Sequence, residues 1–368
     1  MRVAVVSEFY PRARDPVLGV WAHRQAVAAR DAGAEVRVLV LHRPIPPRAQ
    51  PGKLRALAEL ARQPRHAELD GLEIEYVPFV APPRPRTYGS WGAWAAPTLR
   101  LALRRLRRRW PHDLVHAHNA IPAGAAVGDT GLPLVVSAHG GDVYFTAPRY
   151  GAERVRRVFS RSALVLANSA GVEERARALG APHTRVVHLG TDVPEPEPAH
   201  EAGTLVTLGH LVARKGHAEV LRTLPELPGR RYVIIGDGPE RGALQRLAAE
   251  LGVARRVEFT GQMEPAEALA RARACEVFVM PSTDEAFGVA YVEAMAGGLP
   301  AVGRAGEAGP EEIAAAGPGM HLASPHDLAA VIAAARDGMQ ARETVRRHFT
   351  WEACGRATVA AYEEALAR

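Results

Sequence analysis

Short apolar runs alternate along the chain with longer stretches in which apolar residues recur at helical spacing. In the first half the runs predict strands at Arg2–Ser7, Glu35–Leu41, Glu73–Phe79, Asp113–His118, Pro133–Ser137, Ala163–Asn168 and Arg185–His188. In the second half they predict strands at Thr204–Gly209, Tyr232–Gly236, Val257–Thr260, Glu276–Met280 and Pro300–Gly303. Strands that alternate with helices imply parallel sheets with right-handed crossovers. Between the halves, Val193-Pro194-Glu195-Pro196-Glu197-Pro198 continues neither a strand nor a helix. The expected organisation is a first α/β domain over 1–192, a linker over 193–202 and a second α/β domain over 203–348. A helix starting around Phe349-Thr350-Trp351-Glu352 closes the chain over 349–368. In open sheets of this kind ligands bind beyond the carboxyl ends of the strands.

Length and composition agree with two domains: the chain has 368 residues, 47% of them apolar. No apolar run approaches the ~18 residues of a membrane span. The opening residues read as a buried strand and lack the pattern of a signal peptide. Cys275 and Cys354, far apart in sequence, give neither a disulfide framework nor a zinc site. A cytoplasmic protein is therefore expected. The net charge of +6 is carried almost wholly by arginine, Lys53 and Lys215 being the only lysines. That excess is too modest and too spread out for nucleic acid. The exception is a helix predicted over Leu99–Trp110, with Arg104, Arg105, Arg107, Arg108 and Arg109. One reading is a basic amphipathic face that docks on anionic lipid or on an acidic acceptor. The other is a solvated helix whose arginine stems cover apolar surface.

The stretch PSTDEAFGVAYVEAMAGGLP, residues 281–300, carries the densest chemistry. A strand, a turn and a helix that starts at Gly288 direct unpaired N–H groups outward, an arrangement suited to anions. Glycine at that hinge permits close backbone approach. Glu285 lies in the loop and Glu293 about one turn into the helix, and ionised carboxylates bind vicinal hydroxyls well. Amides for phosphate flanked by carboxylates for hydroxyls describe a nucleotide-sugar site. A solvated loop glutamate with a helix-surface glutamate has the same spacing.

The run E-A-F-G-x4-E-A-M-A-x-G-x-P, with Glu285-x7-Glu293 inside it, resembles the signature of GT4 glycosyltransferases of GT-B fold. That resemblance implies two doubly wound, Rossmann-like domains facing across a cleft. It implies that Glu285 holds the donor sugar and takes part in catalysis, and that Glu293 holds the ribose. Backbone amides around Phe287, Gly288 and Val289 would meet the sugar and the diphosphate.

Other segments extend the resemblance. Leu208-Gly209-His210-Leu211-Val212-Ala213-Arg214-Lys215-Gly216 is similar to the segment in which an Arg and a Lys grip the diphosphate. Lys215 matches the second position, whereas His210 stands where the family has Arg, so Arg214 or a protonated His210 would have to serve. Ser137-Ala138-His139-Gly140-Gly141-Asp142 resembles the H-G-x-D turn whose histidine assists the reaction, which makes His139 a catalytic candidate. Asp142 either orients His139 or caps the next helix. Gly19, ahead of a helix, either lets backbone approach a phosphate, as in the N-terminal loop of the family, or starts that helix. His116 and His118 share one strand face, and without a visible third ligand they read as packing or hydrogen-bonding groups. Gly236-Asp237-Gly238-Pro239 looks like a dinucleotide fingerprint, yet Pro239 and the spacing match the ordinary G-x-G-P turn of the family. Gly261-Gln262-Met263 would meet the base, and Gly306-Glu307-Ala308-Gly309-Pro310 would support the donor loop. The Pro- and Arg-rich stretch 44–90 is the region that shapes an acceptor pocket in the family.

The expected activity is retaining transfer from a UDP- or GDP-sugar to an acceptor hydroxyl, in cell-envelope polysaccharide or natural-product glycosylation. The acceptor is a sugar, a lipid-linked species or a small molecule. The chain has no Asp-x-Asp pair, so no metal and no cofactor are expected, and amides with Lys215 must neutralise the leaving diphosphate. No nucleophile stands out, which favours same-face attack with the leaving phosphate taking the acceptor proton. Domain closure would bring His139 and Gly19 onto the donor. The rivals are a GT-B epimerase or phosphorylase, a nicotinamide-linked oxidoreductase, and a non-catalytic nucleotide-sugar sensor.

Overall fold

A computed structural model of the chain describes residues 1–13, 15–44 and 63–368. It divides into two compact units, Met1–Leu189 with Trp351–Arg368, and Gly190–Thr350. The division falls ahead of the proline-rich run, which belongs to the second unit.

The first unit contains β1 (Arg2–Ser7), α1 (Val20–Asp31), β2 (Glu35–His42), β3 (His66–Leu69), β4 (Leu72–Pro78), α2 (Trp91–Arg109), β5 (Leu114–His118) and β6 (Leu134–Ala138). α3 (Ala152–Phe159), β7 (Leu164–Ala167), α4 (Ala170–Ala178) and β8 (Thr184–Val186) follow. The sheet runs β3-β4-β2-β1-β5-β6-β7-β8. Among the described strands of this sheet only β3, hairpinned to β4 through Asp70 and Gly71, is antiparallel. The order reverses between β1 and β5, which makes their carboxyl ends the switch point where ligands bind.

In the second unit come β9 (Thr204–Leu208), α5 (His217–Thr223), β10 (Arg231–Ile235), α6 (Arg241–Glu250), β11 (Val257–Gly261), α7 (Pro265–Arg273), β12 (Val277–Met280) and α8 (Val289–Ala296). β13 (Ala301–Arg304), α9 (Ala308–Ala316), β14 (Met320–Ala323), α10 (Leu328–Ala334) and α11 (Gly338–His348) complete it. Its sheet, β11-β10-β9-β12-β13-β14, is parallel throughout and reverses between β9 and β12.

Both faces of the second sheet are covered, so its strands read as continuous apolar runs. Val206, Val233, Ile235, Phe278 and Met280 pack on one side, and Leu205, Tyr232, Ile234, Val277 and Val279 on the other. In the first unit the last helix, α12 (Trp351–Leu366), shares a core with α1. A side chain at Gly355 would lie 2.2 Å from the carbonyl oxygen of Ala28, so glycine is what lets α12 cross α1 this closely. Gln25 donates to Thr358 across the same contact, at 3.1 Å.

Three predictions need correcting. β3 and β14 were not expected, and α2 begins at Trp91, well before Leu99. Pro97 reads as a helix breaker, but it lies inside α2 on the outward side of a helix that buries Trp91, Ala95, Ala96, Leu99, Ala102 and Leu103. Burial of that face outweighs the hydrogen bond that proline forfeits. Part of the Pro- and Arg-rich stretch, residues 45–62, lies outside the described residues.

Candidate active site

In the second unit the site forms where β9 and β12 end side by side. After Met280 the chain turns through Pro281 and Ser282, with the Ser282 amide on the Met280 carbonyl at 2.7 Å. Gly288 then adopts φ 87°, a left-handed conformation that only glycine takes easily, and α8 starts at the next residue. The amides of Val289 and Ala290 have no protein partner among the described residues, as a helix start requires.

The loop leaving β9 lies against this turn. Thr283 donates its amide to the Arg214 carbonyl at 2.8 Å, and a side chain at Gly216 would come within 2.6 Å of the Pro281 oxygen. That contact carries Lys215 onto Glu285, with Nζ 2.6 Å from Oε2. The Ser282 hydroxyl donates to the same oxygen at 3.1 Å, and an Arg214 nitrogen lies 3.9 Å away. Tyr291, fully buried in α8, supports Ser282 from behind at 3.1 Å and donates to the Met280 carbonyl. Burial and the neighbouring Glu285 carboxylate push the Tyr291 phenol up, so it acts here as a donor. The amide of Glu285 donates to the Glu307 carboxylate at 3.2 Å. A side chain at Gly309 would meet the Phe287 oxygen at 2.6 Å, so the turn before α9 packs flat under the donor loop.

Glu293 has different neighbours. It is half-buried, and burial raises its carboxyl pKa, opposed by the Arg273 guanidinium and reinforced by Asp192. Arg273 donates to the backbone oxygens of Glu293 at 2.9 Å and Asp192 at 2.8 Å. Phe287 is buried against Phe349, ring centroids 5.5 Å apart, and contributes backbone only. His210 is exposed. Gly236 and Gly238 owe their identity to packing, since side chains there would overlap the Gly209 oxygen at 2.1 Å and the Leu211 oxygen at 2.4 Å.

Gly19 and His139 belong to the first unit, at the exits of β1 and β6. Gly19 caps α1 at φ 68°, and a side chain there would lie 2.1 Å from the Phe9 carbonyl carbon. Its lack of a side chain is thus required by packing on the turn after β1. The backbone of His139 is held by Asp142, whose carboxylate accepts from the His139 amide at 3.2 Å, the Ala120 amide at 2.9 Å and Asn119 Nδ2 at 2.9 Å. Asp142 therefore joins the turns after β5 and β6, and it does not touch the His139 ring. Burial raises its pKa to about 7 against those three donors and the Ile121 amide. Burial also lowers the His139 pKa to about 4, so the ring is neutral. Trp21 stands edge-on to it, centroids 6.1 Å apart.

The structure thus brings Lys215, Arg214 and Glu285 together beside the α8 amides, with Glu293 further along the same helix in a separate ionic group. Ser282, Tyr291 and Arg273 were not singled out from the sequence, whereas Glu307 lies in the turn expected to support the donor loop. Tyr291 lies within the signature itself and Ser282 just ahead of it, but nothing in spacing marks them as supports.

Two parallel sheets, each reversing direction at its centre, with a donor-type loop at one reversal, define a GT-B glycosyltransferase fold. A sucrose-phosphate synthase from Thermosynechococcus elongatus shares it over 100% of this chain and 99% of that one, at a TM-score of 0.77 and 20% identity. Two family models match, Glycosyltransferase Family 4 over residues 18–195 and Glycosyl transferases group 1 over residues 191–348. The chain belongs to the GT4-type glycosyltransferases. It is 30% identical over 246 residues to a 2-deoxystreptamine glucosyltransferase of Streptomyces kanamyceticus, covering 56% of this chain and 63% of that protein. It is 32% identical over 207 residues to a GDP-mannose-dependent α-(1-6)-phosphatidylinositol monomannoside mannosyltransferase of Mycolicibacterium smegmatis, covering 49% of this chain and 54% of that protein. The matches thus span less than two thirds of either relative.

Proposed function

We propose that the chain transfers a sugar from a UDP- or GDP-linked donor to an acceptor hydroxyl, with retention of configuration and without a metal ion. One observation carries this reading: a Lys215–Glu285 pair at 2.6 Å beside the unpartnered amides that open α8. In this reading Lys215, aided by Arg214, stabilises the diphosphate as charge develops on it, together with the amides of Gly288 and Val289. Glu285, braced by Ser282, accepts hydrogen bonds from the donor sugar. Glu293 accepts from the ribose. His210 adds a contact to phosphate only when protonated. His139 meets a hydroxyl of the transferred sugar, and Gly19 lets the turn after β1 approach the donor. The acceptor attacks from the face the nucleotide leaves, and the leaving phosphate takes its proton.

The acceptor is a sugar, a lipid-linked species or a small molecule. The two relatives, a 2-deoxystreptamine glucosyltransferase and a phosphatidylinositol monomannoside mannosyltransferase, support either natural-product or cell-envelope glycosylation. A cytoplasmic location is part of the proposal, supported by two buried cysteines that form no disulfide. Among the described residues no helix is long and apolar enough to cross a membrane. Contact with anionic lipid through the arginines of α2 is proposed as well.

Calorimetric titration with UDP, GDP and NAD, repeated on Glu293→Ala, tests this reading. One nucleoside diphosphate should bind selectively, and the mutation should weaken it by about 1.5–3 kcal/mol, the worth of a charged hydrogen bond. Unchanged affinity removes the ribose assignment, and binding of NAD alone overturns the function. Donor turnover without any acceptor would favour an epimerase or phosphorylase.

A further inference from the structure

Three imidazoles form a column between the ends of β5 and β6. The His116 and His118 rings are 4.5 Å apart between centroids. The His118 and His139 rings are 5.5 Å apart, their planes only 7° from parallel. His116 is satisfied at both nitrogens, by the Tyr362 hydroxyl at 2.7 Å and the Ser137 hydroxyl at 2.8 Å. His118 is satisfied at one. Its Nδ1 lies 3.2 Å from Nε2 of His139, while its own Nε2 is buried without a partner.

Two neutral rings that face each other nitrogen to nitrogen share a single proton, which leaves two arrangements. If His139 donates from Nε2, His118 must carry its proton on Nε2, a buried N–H with no acceptor. If His118 donates from Nδ1, its Nε2 is a bare lone pair, and His139 carries its proton on Nδ1. Orphaned buried N–H donors are rarer than under-satisfied acceptors, so the second arrangement is preferred. Nδ1 of His139 has no protein partner among the described residues, which leaves that proton free to be donated.

We propose that His118 is a positioning residue that holds His139 in the Nδ1–H tautomer, so that His139 offers substrate a neutral hydrogen-bond donor and not a base. The inference rests on the placement of His139 in the reaction described above. Its consequence is chemical: the group that meets His139 is an oxygen able to accept, such as a sugar hydroxyl.

Nitrogen NMR of the full chain labelled with 15N-histidine reads the tautomer directly, with His139 assigned through His139→Gln. The wild type should show His139 protonated at Nδ1. His118→Phe, which keeps an aromatic ring in the column but has no donor, should mix the two tautomers and lower kcat about two- to tenfold, the worth of one hydrogen bond. KM for the donor should change little. His118→Asn, whose amide can donate from the position of Nδ1, should restore both the tautomer and kcat. Protonation at Nε2 in the wild type overturns the proposal, and so does an unchanged tautomer in His118→Phe. If His118→Phe does not fold, the wild-type spectrum still decides. A correct tautomer with full activity in His139→Gln would instead remove His139 from the reaction and leave the role of His118 intact.

Discussion

Nζ of Lys215 lies 2.6 Å from Oε2 of Glu285, so the residue assigned to phosphate and the residue assigned to sugar hydroxyls are bonded to each other. Both side chains are largely buried, 14% and 10% exposed, and a buried cation left without its partner is costly. In the proposed reading, donor binding replaces this pair: phosphate takes the place of the carboxylate at Lys215, and hydroxyl donors take the place of the ammonium at Glu285. The two halves of the pair should respond oppositely to mutation. Glu285→Gln frees Lys215, so UDP or GDP should bind at least as tightly as to wild type while kcat falls about 10- to 100-fold, a charged hydrogen bond's worth. Lys215→Ala should weaken the nucleoside diphosphate itself. Calorimetry beside steady-state kinetics separates the two, and equal loss of nucleotide affinity in both variants would contradict the assignment.

The two glycines at the helix starts make a second test. A side chain at Gly288 would lie 2.3 Å from Cδ2 of Tyr291, which is fully buried and cannot retreat. Gly288→Ala should destabilise the second unit by about 1–3 kcal/mol, the cost of a forced backbone conformation. It should also weaken nucleoside diphosphate binding, because the α8 amides turn with it. Gly19→Ala should cost at least as much in the first unit, where the neighbour is backbone. If folded Gly19→Ala binds nucleotide and turns over normally, packing on Phe9 is the whole reason for glycine there, and its approach to donor phosphate is removed.

Much of the fold was legible because the core strands advertise themselves. Val277–Met280 and Tyr232–Ile235 are apolar at every position, and both faces of their sheet are covered. β3 and β14 lacked that signal. β3 is a four-residue edge strand with alternate residues exposed, and it exists because β4 offers it an antiparallel partner. β14 carries His321 in its middle and is fixed by pairing with β13. At the site, Glu285 and Lys215 stood out by motif and by the scarcity of lysine. The groups that hold them did not. Arg273 reads as one more arginine in an arginine-rich chain, yet it is 8% exposed and ties α8 to Thr191 and Asp192. Its role arises from tertiary contacts that leave no local pattern. The same holds for Asp142, for which sequence could offer only an orienting or a capping role.

The histidine column predicts how stability depends on pH. Burial holds His116 at about 3, His139 at about 4 and His118 well below its ordinary range. Unfolded histidines titrate near 6.5. Below that pH the unfolded chain binds protons at three sites that the fold keeps neutral, so stability falls as pH falls towards about 4. Asp142, raised to about 7, acts in the opposite sense, because the fold holds a proton there that the unfolded chain releases above about 4. Glu8, also raised by burial, adds to Asp142 near the bottom of the window. The column's three histidines against Asp142 contribute a net uptake of about two protons on unfolding, or about 2.7 kcal/mol per pH unit at the steepest point, and His112, also lowered by burial, adds in the same direction. Urea unfolding of the first unit at stepped pH measures the slope. His118→Asn should reduce it by about 1.4 kcal/mol per unit, and a slope unaffected by that change would mean that His118 is already charged in the fold.

The outward face of α2 decides between its two readings by charge and by salt. The helix contains no acidic residue, while Trp94 and Leu101 are 50% and 56% exposed among its arginines. Two of those arginines are partly engaged within the unit, Arg105 with Glu75 at 3.3 Å and Arg107 with the Thr130 carbonyl at 3.0 Å. Arg104 and Arg108 are exposed beyond Leu101 on the helix and have the most to gain from an anionic surface. Sedimentation with phosphatidylserine-containing vesicles should show binding that weakens as salt shortens the screening length. Reversing Arg104 and Arg108 to Glu should weaken it by more than the roughly fivefold per basic residue expected from loss of charge alone. Trp94→Ala should weaken binding without altering its salt dependence, because the indole contributes burial and not charge. Equal binding to phosphatidylcholine vesicles, or none at low salt, would identify α2 as a solvated helix whose arginine stems cover the apolar surface beneath them.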